Sequence, residues 1–272
     1  MDVPAVPLLF PGQSAPESAA RRRFRALARS APWLSTSLQF QVQVPGEYAK
    51  PEDGLEGTLT AIIRQREAIA VRSADGQLVY QQEKFTADRS RGYVAATNSS
   101  WKLPASLTSP VYTSDQLILR RPDISGFNGL LPLEHWESML DPVELAGSEP
   151  ASHDLAFDHP TYIHELAEIT HDGRPALAAV LTAGHTYQPT LASAPLVPEG
   201  ARTLVVLDLA TGVCLNRRVL AAPTGMPPAP ELSLQVLAHN EYYIDSLFTA
   251  PAPTLTDVRA PIPWELRSER RS

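Results

Sequence analysis

Leu38-Gln39-Phe40-Gln41-Val42-Gln43-Val44 alternates apolar and polar side chains without a fault. Successive side chains of a strand point to opposite faces, so Leu38, Phe40, Val42 and Val44 make one buried face and the three glutamines a wet one. A single wet face is the pattern of an antiparallel sheet, because parallel sheets are covered on both sides. Working outward, residues 58–64 and 67–72 are rich in β-branched side chains and read as the next two strands. Ser73-Ala-Asp-Gly76 is a hairpin turn, since Asp-Gly supplies the positive φ angles that a tight turn needs, and 78–82 pairs back.

The rest of the chain repeats this grammar. Residues 92–97, the turn Asn98-Ser-Ser100 and 101–103 read as strand, turn, strand, and 116–119 as a short strand. In the last third, 161–170 and 175–184 flank the turn His171-Asp-Gly-Arg174, and 202–209 and 213–220 flank Ala210-Thr-Gly212. A final strand is predicted over 232–247. The expected fold is mainly β: a curved antiparallel sheet, a half-barrel covered by short helices.

Two helices are predicted as the covers. Over 17–30, Phe24, Leu27 and Ala28 fall at helical spacing among arginines 21, 22, 23, 25 and 29, which reads as a surface helix with one apolar stripe, ended by Pro32. Leu133, Trp136, Met139 and Leu140 give a second helix over 133–140, ended by Asp141-Pro142. The organisation is a flexible arm over 1–16, one domain over 17–248, and a proline- and arginine-rich extended tail over 249–272.

Composition removes several classes. Twenty-six prolines in 272 residues exclude a long-helix bundle or coiled coil. A net charge of −7 argues against nucleic acid as a partner. One cysteine, Cys214, excludes an intramolecular disulfide framework and a multi-cysteine zinc site. No apolar run is long enough to span a membrane. The amino-terminal stretch has no basic region and is interrupted by Pro4 and Pro7, so no export leader is predicted and the expected compartment is the cytoplasm.

The order of these elements resembles the outer-membrane lipoprotein carrier superfamily and its relatives, the periplasmic sigma-E regulators and mycobacterial lipid-carrying lipoproteins, in their actinobacterial form. An amino-terminal helix precedes the strand Leu38 to Val44, and Tyr93 to Trp101 is similar to a strand-turn-Trp element. The helix before Asp141-Pro142, the Gly-Arg-Pro turn at 173–175, and Leu207-Asp-Leu-Ala-Thr-Gly-Val213, where an acidic residue and a Thr-Gly pair set a hairpin, follow in the same order. The resemblance implies a half-barrel that binds an apolar chain or a protein partner without catalysis.

The candidate ligand-binding residues are Phe40, Trp101, Leu133 and Trp136, flat aromatic and aliphatic walls suited to an apolar ligand beneath the covering helix. No catalytic residue, metal ligand or cofactor is assigned. Five histidines, His153, His159, His164, His171 and His185, cluster with Asp154, Asp158, Glu165 and Asp172, but at no zinc-ligand spacing. There is no Gly-x-Ser-x-Gly elbow, Walker sequence or Gly-x-Gly-x-x-Gly, and Cys214 sits in an apolar strand as a buried thiol. The sequence therefore predicts a non-enzymatic protein holding a hydrophobic small molecule. The alternative is a regulatory module that docks a protein on its sheet, basic helix or tail.

Overall fold

A computed structural model describes residues 17–64, 67–83, 110–122, 131–150, 159–226 and 229–249. The chain runs α1 (Ala19–Leu34), β1 (Ser37–Gln43), β2 (Thr58–Arg64), β3 (Ala68–Ser73), β4 (Leu78–Glu83), β5 (Val111–Tyr112), β6 (Ile118–Arg120), α2 (Glu134–Leu140), β7 (Thr161–His171), β8 (Arg174–Ala183), β9 (Arg202–Asp208), β10 (Cys214–Ala221) and β11 (Leu232–His239). Nine strands form one open antiparallel sheet in the order β4-β3-β2-β1-β11-β10-β9-β8-β7, while β5 and β6 form a separate ribbon.

Every neighbouring pair in the large sheet is a sequential hairpin except β1 with β11. The strand that decides the fold in the sequence is thus also the joint between two meanders. Phe40 lies opposite Ala61 of β2 and Val236 of β11. Leu38, Phe40 and Val42 are buried as their alternation requires, beside Leu59, Ala61 and Ile63 and beside Leu234 and Val236. The predicted strands 92–97 and 101–103 lie outside the described residues.

Helix α1 departs from its expected form in two ways. Ser18 caps it, its hydroxyl oxygen accepting from the Arg21 N–H at 3.4 Å, but Pro32 sits inside the helix rather than ending it. A proline one turn before the end removes a single backbone bond, which packing outweighs here. The helix is also no surface element, because every residue from Phe24 to Pro32 is buried. Phe24, Leu27, Ala28 and Ala31 pack on the inner sheet face. Another face meets a second layer made of β6 and the 3-10 helix Pro142–Leu145. There the Ser30 hydroxyl accepts from the Ile118 N–H at 2.7 Å and donates to the Ala26 carbonyl.

The last strand is shorter than predicted. It ends at His239, and Asn240, with φ of 61°, turns the chain away. The Asn240 side-chain oxygen accepts from the Thr36 N–H at 2.8 Å and fixes that exit. The chain then crosses the outer face of the sheet, where Phe248 is buried against Ala68 and Ala70 with Ile62, Leu78, Tyr243 and Leu247 around it. The outer face of β2–β4 is therefore covered by Phe248 together with Tyr243 and Leu247, the last two of which the sequence reading assigns to the final strand.

Candidate functional site

The interior under α2 brings together three of the four residues the sequence selects. Trp136 and Phe40 are fully buried and meet edge to face, ring centroids 5.4 Å apart at 80°. Leu133 precedes the helix, buried in the same cluster, and its carbonyl accepts from the Trp136 N–H at 3.1 Å. Trp101 lies outside the described residues. Helix α2 has seven residues and no side-chain cap at its start, so packing rather than propensity holds it in place.

The apolar cluster has a polar rim that the sequence reading missed. Among the described residues the buried Trp136 Nε1–H has no acceptor. Next to it, the His135 ring stacks on Tyr48 at 4.5 Å and 29° and meets the Trp136 ring edge-on. Burial, helped by the charge of Arg217, lowers the His135 pKa to about 4, so the ring is neutral at neutral pH, and its Nδ1 has no hydrogen-bond partner among the described residues. Arg217 is buried on the inner face of β10. It donates to the Pro230 carbonyl at 2.9 Å and the Pro195 carbonyl at 3.0 Å, while its Nε stays unpaired. Alternation through Leu215, Arg217 and Val219 was the available signal, since it turns a charged side chain inward.

Glu144 anchors the proline-rich connection beyond this rim. Its carboxylate accepts from the Tyr187 hydroxyl, the Thr190 N–H and the Leu196 N–H, each at 2.6 Å. Burial pushes its pKa up while these bonds oppose the rise. The group is structural, with its oxygens fully used.

Of the histidine-rich stretch, His159, His164, His171 and His185 fall among the described residues. His159 lies 3.6 Å from Glu17, and His164 bonds the Thr182 hydroxyl at 2.9 Å on an exposed strand. His153 and Asp158 fall outside the described residues. Among the described residues no three His, Cys, Asp or Glu side chains are grouped to hold a metal ion, and no helix is long and apolar enough to cross a membrane. The Cys214 thiol, buried and pushed up to about 12 by that burial, donates to the Asn216 carbonyl. A thiol in that state is a poor nucleophile.

Compared with protein-family models, with curated proteins and with solved structures, the chain matches none.

Proposed function

We propose that the protein is a non-enzymatic binding protein that holds a hydrophobic, lipid-like ligand in the half-barrel interior, between the inner sheet face and α2. Trp136 carries this reading: its indole is wholly buried against Phe40, yet Nε1–H has no acceptor. A donor left dry costs about 1–3 kcal/mol. An acyl chain bearing a carbonyl or carboxyl oxygen would relieve that cost while its methylenes join the apolar cluster. The unpaired Arg217 Nε and His135 Nδ1 extend the same polar rim. Because Phe40, Leu133 and Trp136 pack in one cluster, the ligand enters by displacing α2, which is short and uncapped. The order of turns that resembles the lipoprotein-carrier half-barrels leads to the same proposal.

The test is a titration of the protein with dodecanoate, followed by tryptophan fluorescence. Binding below about 100 μM is expected. Trp136→Phe, which keeps an aromatic ring and removes the N–H, should weaken it about tenfold. No binding in that range, or equal binding by the variant, defeats the reading. The docking alternative is favoured by Tyr242 and Ile244, which are 88% and 54% exposed on the segment crossing the outer face. Replacing both with serine should leave the dodecanoate titration unchanged.

A further inference from the structure

Arg25, Arg29 and Trp33 follow one another four residues apart on α1 and so share one face of the helix. At one end Arg25 is fully engaged. It donates to Glu17 at 2.7 Å, to the Leu145 carbonyl at 3.0 Å, and to the Thr161 hydroxyl and carbonyl at 3.2 and 2.7 Å. At the other end Arg121 lies 4.9 Å over the Trp33 ring and grips Asp141 through two bonds of 2.7 and 2.6 Å. Arg29 stands between them. It is only 3% exposed, yet its Nε and Nη1 are buried without an acceptor among the described residues, and so is Nε of Arg121.

Among the described residues Arg25 is paired with Glu17 and Arg121 with Asp141, and Arg29 forms no such ion pair. Glu144 of the adjoining 3-10 helix is bonded elsewhere, accepting from Tyr187, Thr190 and Leu196. Burial lowers the Arg29 pKa to about 10, with Arg25 and Arg121 adding to the fall and Glu17 opposing it, so the group stays charged at neutral pH. A buried cation without an acceptor is among the costlier arrangements in a protein.

We propose that Arg29 forms a binding site for a phosphate group. A guanidinium donates charge-assisted bonds to oxyanions, and a phosphate presents more acceptor oxygens to the unpaired Nε and Nη1 of Arg29 than a carboxylate does. The site lies in the layer of α1, β6 and the 3-10 helix, and does not depend on the apolar ligand proposed above. The phosphate is either free or the head of a phosphomonoester.

Thermal unfolding of the full chain in potassium phosphate, at ionic strength held constant with potassium chloride, tests the proposal. Phosphate well above its Kd should raise the melting temperature by several degrees. Arg29→Met should abolish that rise, and in chloride alone should melt no lower than the parent, since it removes an unpaired buried charge. A larger rise with phenyl phosphate assigns the site to phosphomonoesters, and an equal or smaller one to free phosphate. If Arg29→Met fails to fold, broadening of the phosphate ³¹P resonance by the parent protein, reversed by sulfate but not by chloride, supports the site. A flat phosphate response in the parent, an equal response in Arg29→Met, or an unbroadened ³¹P line overturns it.

Discussion

Arg174 and Asp208, 34 residues apart, are joined by two parallel hydrogen bonds of 2.9 Å each. The same carboxylate accepts from the Thr211 N–H at 2.9 Å and the Thr211 hydroxyl at 2.7 Å. One buried acid therefore ties the β7–β8 turn to the β9–β10 turn. Burial works against its ionisation, but the bonds from Arg174 and Thr211 prevail and hold its pKa below the ordinary carboxyl value.

Asp208→Asn should cost about 3 kcal/mol at neutral pH, read from a denaturant midpoint. Because the folded pKa is depressed below the ordinary carboxyl value of 3.8, the stabilisation is complete above that pH and disappears as pH falls below it. The variant and the parent should thus converge in acid. A constant gap down to the acid transition would mean that the carboxylate charge contributes nothing.

Gly212 ends this turn with φ of 72°, and a Cβ there would stand 2.9 Å from the Leu27 carbonyl oxygen and 3.1 Å from the Ala31 Cα of α1. Gly212→Ala should meet both backbone strain and a clash with the helix. Gly76→Ala meets strain alone, since its φ is 85° but nothing lies within 4 Å. We expect a loss of about 1 kcal/mol at Gly76 and at least about 2 kcal/mol more at Gly212. Equal losses would show that α1 can withdraw from the turn without cost.

His135 supplies a second acid-sensitive element. Its folded pKa, about 4 against an ordinary 6.5, is depressed, so the stabilisation is full above 6.5 and fades as pH falls toward 4. The fully developed effect is about 3 kcal/mol at most. His135→Phe, which keeps the stack on Tyr48, should flatten the dependence of melting temperature on pH between 6.5 and 4. An unchanged slope would place the acid sensitivity elsewhere.

Phe248 closes the outer face of β2–β4, and the Arg64 guanidinium lies 5.1 Å from its ring centroid while donating to Asp245 at 2.6 Å. Phe248→Ala should destabilise by about 3–5 kcal/mol, as for other wholly buried aromatic residues. Tyr242→Ala, at a nearby exposed position, should leave the unfolding midpoint in place. A neutral Phe248→Ala would show that the crossing segment is not part of the cooperative fold.

Local pattern determined most of the described strands of the large sheet and several of their turns. The alternation at 38–44 placed Phe40 on the inner face, and the Gly-containing turns placed the hairpins of both meanders, because backbone period and positive φ are properties of a few adjacent residues. Trp136 was legible from helical spacing, and Asp208 from its turn. The pairing of β1 with β11, the burial of both faces of α1 and the return of Phe248 over the outer face were decided by tertiary structure. Each joins residues far apart in the chain, and the apolar area gained by bringing them together does not register in any short window. The same holds for charge. The run of arginines in α1 reads as a solvated surface until the fold supplies Glu17 and the backbone carbonyls that satisfy Arg25 and leaves Nε and Nη1 of Arg29 without an acceptor among the described residues.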